Sequence, residues 1–230
     1  MHRILIVAVA VLAMALTGST ALGQKPPKNP KPNPQQPQPS PYTAGITISP
    51  SANPVVYPSG VTFTGRVNGA KAGVTVTLQS SILRDGPYKN LAETKTDNSG
   101  KYSVGDRPSR NLYYRVVSSA PNPAQAGIYV RNAMRVGLIV SDSTPRRGAL
   151  ITFRGTVRPR HDGRTVYVQR RSATGRWVTL KRPRLVGVNS TTSKYRTRIR
   201  VRSNGTYRAR VLGHADHSLG TSRSRTLVVH

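Results

Sequence analysis

The chain has 230 residues, of which 36 are Lys or Arg and only 7 are Asp or Glu, so its formal net charge is +29 at pH 7. Such a balance attracts polyanions over long distances but does not determine the fold. The sequence contains no cysteine, which excludes disulfides, thiolate metal sites, a cysteine nucleophile and a lipid-modified cysteine anchor. The protein must therefore be held together by core burial alone.

The first residues are typical of an export signal. A short basic start, Met1 to Arg3, precedes an apolar run from Ile4 to Leu16, and small residues then lead to a predicted cleavage point after Gly23. A retained membrane anchor is the alternative, but the run is shorter than the ~20 apolar residues that span a bilayer. We therefore expect residues 1–23 to be a signal peptide. The protein would then be secreted, free or associated with the cell wall, with no transmembrane segment after cleavage.

A proline-rich segment follows at residues 24–43. Proline fixes φ and lacks a backbone donor, so this segment is predicted to be an extended spacer and not a domain. At about 3.1 Å per residue it would separate the folded part from the N-terminus by about 50–60 Å. A docking peptide for a proline-binding module is the alternative interpretation.

The rest of the chain contains two copies of one sequence pattern. Val61–Val67 returns as Ile151–Val157, Gly73–Gln79 as Gly163–Gln169, Gly86–Tyr88 as Gly175–Trp177, Lys101–Tyr102 as Lys194–Tyr195, and Tyr114–Arg115 as Tyr207–Arg208. Five anchors in the same order indicate a duplicated domain. The predicted boundaries are 44–135 for the first domain and 136–230 for the second, which is the more basic of the two. Around Met134 the two repeats nearly abut, which predicts a short, stiff connection.

The sequence of each copy is typical of β-strands. Apolar and polar residues alternate over 74–79, 167–169, 195–202 and 207–211, and turn signals lie at 97–100, 173–175 and 203–205. Asn204-Gly205 lies between two alternating runs and predicts a tight hairpin. About seven short strands per copy predict an all-β protein with two tandem Greek-key sandwiches, with a barrel as the alternative.

At these residues the chain resembles the tandem immunoglobulin-like (Ig-like) repeats of bacterial secreted and surface proteins, particularly Arg-rich ones of the actinobacterial type. The resemblance covers residues 45–230. It is carried by Phe-x-Gly (Phe63, Gly65; Phe153, Gly155), a Gly-x-Trp/Tyr strand, Gly100-Lys-Tyr102 and a late Tyr-Arg strand. The second copy departs by having Thr192–Tyr195 where the first has Asn98–Tyr102. The resemblance implies Ig-like sandwiches and extracellular display, and it implies no ligand.

Arginines alternate along one predicted strand. Four of them, Arg196, Arg198, Arg200 and Arg202, would share one face, and the hairpin at Asn204-Gly205 would add Arg208 and Arg210 to it. Side chains two apart on a strand are separated by about 7 Å, which suits repeating phosphates or carboxylates, and guanidinium groups bind these in bidentate fashion. These six residues are the predicted polyanion-binding site. The alternative is a solvated face whose charge has no ligand.

Other kinds of site have little support. Sequence-specific nucleic-acid binding is not expected, because no helical period is present and Tyr113, Tyr114, Tyr195 and Tyr207 fall at core or corner positions. His214, Asp216 and His217 could supply metal ligands from one loop, but without a third fixed ligand a plain surface loop is favoured and no metal site is predicted there. Asp97–Gly100 is predicted to be a plain turn and not a calcium loop. The acidic residues are scattered singly and no catalytic motif occurs, which predicts a non-enzymatic protein with no catalytic residues and no cofactor.

These observations predict a secreted, non-catalytic interaction module. Its expected partners are anionic polymers of the cell envelope or matrix, bound through a basic face of the second domain. Two alternatives use the same scaffold. One is a structural spacer whose charge has no role, and the other is an adhesin that recognises a protein or glycan through loops at the ends of the sandwich.

Overall fold

Alternating buried and exposed side chains define the regular elements of this protein. In the computed structural model, which describes residues 45–119 and 123–230, every regular element is a β-strand. Val61–Arg66 is typical, because Val61 and Phe63 are buried while Thr62 and Thr64 are exposed, as expected for a half-buried strand. No helix within the described ranges is long and apolar enough to cross a bilayer. The predicted signal peptide (1–23) and proline-rich linker (24–43) lie outside the described residues.

The first repeat forms two packed antiparallel sheets. Its strands are β1 (Ser49–Pro50), β2 (Val55–Val56), β3 (Val61–Arg66), β4 (Thr75–Ser81), β5 (Lys89–Lys95), β6 (Lys101–Asp106), β7 (Leu112–Ser118), β8 (Ala124–Val130) and β9 (Asn132–Ala133). One sheet has the order β1-β3-β6 and the other the order β5-β4-β7-β8. β2 and β9 form a short parallel pair.

The second repeat has the same two-sheet arrangement. Its strands are β10 (Arg135–Val136), β11 (Ile139–Val140), β12 (Leu150–Arg158), β13 (Val166–Arg171), β14 (Trp177–Lys181), β15 (Val186–Asn189), β16 (Thr192–Arg200), β17 (Gly205–Val211), β18 (Gly220–Thr221) and β19 (Arg225–Leu227). One sheet has the order β10-β12-β16-β15, with β11 also on β12. The other has the order β14-β13-β17-β18, with β19 also on β17.

Each repeat encloses its own hydrophobic core between its two sheets. A fully buried Phe lies at the centre of each core and packs against a Tyr from the facing sheet. The ring centroids of Phe63 and Tyr114 are 4.6 Å apart, and those of Phe153 and Tyr207 are 5.1 Å apart. Two separate sheets around one core make a sandwich and not the alternative barrel. The prediction of an all-β protein with two tandem Ig-like sandwiches is therefore confirmed.

The Phe-x-Gly and Lys-Tyr anchors of the repeat belong to one structural unit. Gly155 on β12 lies opposite Tyr195 on β16, and the Tyr195 hydroxyl donates to the Gly137 carbonyl at 2.7 Å. A Cβ at position 155 would overlap that carbonyl and lie 2.8 Å from the hydroxyl. The first sandwich repeats the unit with Gly65 and Tyr102, whose hydroxyl donates to a carbonyl near the start of that sandwich. The glycine is thus required so that the tyrosine ring can pass over it.

The predicted hairpin at Asn204-Gly205 is wrong. β16 pairs with β12 and β15, whereas β17 pairs with β13, β18 and β19, so the chain crosses from one sheet to the other at residues 201–204. A two-residue type I′ turn needs positive φ at both central residues. Neither Asn204 nor Gly205 has positive φ. The equivalent connection in the first sandwich, between β6 and β7, crosses in the same way.

The connection between the sandwiches is short. Only Met134 separates β9, which pairs with a strand of the first sandwich, from β10, which pairs with a strand of the second. Met134 itself is buried in the second core, two residues before the predicted start of that domain. Asn132 is fully buried, and its carbonyl accepts the N–H of Ser218 in the second sandwich at 2.8 Å. Contacts of this kind join the two sandwiches into one compact unit.

Candidate functional site

The predicted arginine strand presents its charges on the outer face of the second sandwich. On β16 the side chains of Arg196, Arg198 and Arg200 are exposed, whereas Tyr195 and Ile199, which alternate with them, are buried and Thr197 is half-buried. The alternation follows from the pleat, which sends successive side chains to opposite faces. β16 ends at Arg200, so Arg202 is exposed just beyond the strand and not within it. The structure therefore brings three of the six predicted residues into one strand register.

A neighbouring strand adds a cation that sequence reasoning missed. Arg154 on β12 lies directly opposite Arg196, and Thr156 lies opposite Lys194. Both Arg154 and Lys194 are exposed on the same outer face. Directly opposed residues have Cβ atoms about 4.5–5.5 Å apart, and like charges in that position repel. The antiparallel register, which the sequence pattern alone does not specify, creates this pair.

These residues line an open groove with a volume of about 630 Å³. Four of its lining residues are cationic and two are exposed aliphatic side chains, and the remaining surface includes backbone of two glycines. The lining comprises Arg154, Arg184, Lys194 and Arg196, the aliphatic Ile139 and Val186, and Gly137, Gly155, Thr156 and Tyr195. We call this feature the cationic groove. Its chemistry combines four positive charges with a lining whose remaining surface is largely apolar.

The cationic groove has no carboxylate counter-ion among the described residues. In 45–119 and 123–230 the ion pairs are Arg110–Asp216 and Arg160–Asp162, and neither involves a groove residue. Arg184 donates to the Gly163 carbonyl at 2.6 Å, which fixes its guanidinium without neutralising its charge. The groove therefore carries four uncompensated positive charges at neutral pH, which solvent ions or a ligand must balance.

Arg208 and Arg210 lie in the other sheet, so the prediction that they share the face of Arg196 is wrong. Both are on β17, which is hydrogen-bonded to β13. Arg208 lies over the Trp177 ring, with its guanidinium carbon 4.1 Å from the ring centroid, and its Nε donates to Gln169 at 2.9 Å. Burial and the nearby Arg210 charge lower the pKa of Arg208. The Arg208 side chain is thus held by contacts with Trp177 and Gln169 of its own sandwich.

The same arrangement occurs in the first sandwich, where Arg115 lies over the Tyr88 ring and its Nε donates to Gln79. Gln79, Tyr88 and Arg115 correspond to Gln169, Trp177 and Arg208 in the aligned repeat anchors. A cation over an aromatic face contributes about 0.5–1 kcal/mol at exposed sites and more where it is desolvated. The late Tyr-Arg anchor of the repeat is therefore structural, and it accounts for Arg208 without a ligand.

A histidine cluster is the second unusual feature. His161, which is 9% exposed, reaches the pair formed by His214 and His217. One ligand atom from each ring lies within 4.8 Å of the other two. Among the histidines, sequence reasoning considered only His214 and His217, because His161 is 53 residues from His214 and carries no local motif. The fold supplies the third imidazole, which no local sequence motif indicates.

Comparison with known proteins finds no family model and no curated protein that matches the chain. Among solved structures, a tetra-tandem repeat from the extending region of a large adhesion protein is 19% identical, with a TM-score of 0.36, over 81% of this chain and 49% of its own. The D0-D1 domain of Intimin is 13% identical, with a TM-score of 0.31, over 80% of this chain and 98% of its own. Red sea bream transglutaminase is 9% identical, with a TM-score of 0.41, over 82% of this chain and 32% of its own.

The chain thus spans about a third of the transglutaminase and about half of the adhesion-protein fragment. Every one of these TM-scores is below 0.5, so the likenesses carry no argument about function. The assignment of two Ig-like sandwiches therefore depends on the sheets and cores described above.

Proposed function

We propose that this chain is an exported, non-catalytic interaction module that binds anionic extracellular polymers in the cationic groove of its second sandwich. The ligand class is a chain of repeating carboxylate, sulfate or phosphate groups. The arginine-rich Ig-like repeats of bacterial surface proteins that the sequence resembles provide the biological setting. In that setting the ligand is an anionic polymer of the cell envelope, and the proline-rich segment is a spacer.

The observation that carries this proposal is the pair of arginines facing each other across β12 and β16. Arg154 and Arg196 are directly opposed, and Lys194 and Arg184 line the same groove. Opposed like charges destabilise a sheet unless something compensates them. No carboxylate pairs with these four residues in the described part of the chain. An anionic ligand would supply the missing counter-charge.

The row of arginines that continues along β16 beyond the cationic groove favours a polymer over a single small ion. Guanidinium groups bind carboxylate, sulfate or phosphate with two parallel hydrogen bonds, and the alternating residues Arg196, Arg198 and Arg200 repeat about every 7 Å along β16. A chain lying along the strand would meet one cation after another. Arg200 donates to the Gly148 carbonyl at 2.9 Å, which holds its guanidinium in place at the end of the row.

A charge-matched pair of variants tests the proposal. One variant replaces Arg154, Lys194 and Arg196 by Gln. The control replaces Arg176, Lys181 and Arg223 by Gln, and these three are exposed residues outside the groove lining. Both lose two arginines and one lysine, so their net charges are equal. Binding of a heparin-derived oligosaccharide is measured by calorimetry at physiological ionic strength, and circular dichroism checks the fold.

We expect the groove variant to raise the Kd at least about tenfold, because it removes the charge-assisted hydrogen bonds between the groove and the ligand. The control should raise the Kd less than about threefold, because it changes only the long-range field. Equal weakening by the two variants would mean that attraction by the charge is diffuse. The spacer and loop-adhesin alternatives would then be favoured.

A further inference from the structure

We propose that His161, His214 and His217 form a binding site for one divalent transition-metal ion of the zinc class. His161 follows β12, while His214 and His217 lie between β17 and β18. One ligand atom from each ring lies within 4.8 Å of the others, and the Nε2 atoms of His161 and His214 are 2.8 Å apart. Three imidazoles with one solvent position complete a tetrahedral zinc site. This inference is independent of the cationic groove.

Backbone carbonyls orient two of the three rings as metal ligands require. The Nδ1 of His161 lies 2.7 Å from the Pro159 carbonyl, and the Nε2 of His217 lies 2.8 Å from the Ser109 carbonyl. A carbonyl oxygen only accepts hydrogen bonds, so each of these nitrogens carries the proton. The lone pairs are then on His161 Nε2 and His217 Nδ1. Metal-ligating histidines characteristically donate their other N–H to such a partner.

The His217 Nδ1 atom is an unsatisfied acceptor. His217 is 8% exposed, and within the described part of the chain its Nδ1 is buried without a hydrogen-bond partner. Buried polar atoms without partners are rare and require an explanation, of which a bound ion is one. A metal ion at the centre of the cluster would satisfy this lone pair together with that of His161.

Of the three histidines, His214 must change most on metal binding, because its ring has to change tautomer. Its Nδ1 accepts the Asp216 N–H at 3.3 Å, so its Nε2 carries the proton that it donates to His161. Metal binding moves that proton to Nδ1 at the expense of the long Asp216 contact.

The separations between the imidazole nitrogens are close to those that a tetrahedral zinc ion requires. Zinc binds imidazole nitrogen at about 2.0–2.1 Å, so two nitrogens on a tetrahedral ion are about 3.3 Å apart. The 2.8 Å separation between His161 and His214 therefore opens slightly, and the wider separations, which are at most 4.8 Å, close. Asp216 is paired with Arg110, so its carboxylate is not available as the fourth ligand.

The cluster lies beside the junction between the two sandwiches. The His217 ring donates to the Ser109 carbonyl, and the backbone carbonyl of the adjacent Asp216 accepts the Asn111 N–H at 2.6 Å. The side-chain amide of Asn111 donates to the Ala215 carbonyl at 2.9 Å. A metal ion that fixes His214 and His217 therefore also fixes the loop that contacts the first sandwich. The role that follows is a structural clamp of the junction.

Calorimetric titration of the full chain with Zn²⁺ tests the site, using protein purified without a histidine tag and stripped with a chelator. The variants are His161→Gln and His214→Gln, and the control is His230→Gln, which removes an exposed histidine at the C-terminus. We expect one ion per chain, unchanged affinity in the control and at least about tenfold weaker binding in each cluster variant. Co²⁺ should give the intense visible bands of tetrahedral coordination in the wild type and the control only.

Two results would overturn the site. One is no stoichiometric Zn²⁺ binding by the wild type at about 100 µM metal, and the other is full affinity in both folded cluster variants. Amide hydrogen exchange tests the clamp separately. Zn²⁺ should slow exchange at residues 109–111 and 214–217 in the wild type. Tight binding with unchanged exchange there would overturn the clamp role.

Discussion

Phe153→Ala is expected to lower the free energy of unfolding of the second sandwich by about 3–5 kcal/mol. Phe153 is fully buried on the inner side of β12 and packs against Tyr207 of the facing sheet. The substitution removes buried apolar surface and leaves a cavity between the two sheets. The sheets relax only partially into this cavity, which adds to the cost. The loss is the largest that we expect from a single truncation in this domain.

Denaturant unfolding followed by tryptophan fluorescence measures this loss, because Trp177 lies on β14 of the same sandwich. Leu150→Ala is the matched control, since Leu150 is on the same strand but is 51% exposed. It should cost less than about 1 kcal/mol, because most of its surface is already in water. A Phe153→Ala loss as small as that of the control would mean that the core is not assembled as described.

Gly155→Ala is expected to destabilise the second sandwich by about 2–3 kcal/mol, although it adds only one methyl group. The new Cβ would overlap the Gly137 carbonyl and press on the Tyr195 hydroxyl. Relief requires a shift of β12 or loss of the hydrogen bond from Tyr195, and overpacking of this kind costs about 1–3 kcal/mol. Gly65→Ala should have the corresponding effect on the first sandwich.

Gly105→Ala is the control for this substitution. Gly105 is on β6, and a Cβ there would meet only the Val61 carbonyl at 3.7 Å, an ordinary contact. Where an alanine fits without strain it is neutral or stabilises by about 0.4–1 kcal/mol, because it restricts the unfolded chain. Calorimetric melting separates the outcomes. Similar melting temperatures for Gly155→Ala and Gly105→Ala would refute the steric role of Gly155.

Much of the fold could be predicted because the two sequence repeats share the same residue types at the same spacing along the chain. The aligned Gly, Tyr, Gln and Arg anchors correspond to two units that occur in both sandwiches. In one unit a glycine lies beneath a tyrosine that donates to a carbonyl, as with Gly155 and Tyr195. In the other an arginine lies over an aromatic ring and bonds to a glutamine, as with Arg208, Trp177 and Gln169. The exposure of Arg196, Arg198 and Arg200 followed from the pleat alone.

Sheet membership could not be predicted in the same way. A period of two specifies which side chains are buried, but it does not specify the strand with which each strand pairs. Asn204-Gly205 matched a hairpin signal, yet the chain crosses between sheets there and places Arg208 away from Arg196. Pairing also determined the two features that sequence reasoning missed, because Arg154 reaches Arg196 only through the β12–β16 register and His161 reaches His214 only through the fold.

The measurement that tests the central claim most directly is an NMR titration of the backbone amides with a heparin-derived oligosaccharide. If the cationic groove is the anion site, the largest shift changes should cluster on β12 and β16 around Arg154, Lys194 and Arg196. The first sandwich and the face that carries Arg208 and Arg210 should change little. Changes spread evenly over both sandwiches, or largest around Arg208 and Arg210, would contradict a localised groove and identify the +29 charge as a diffuse property.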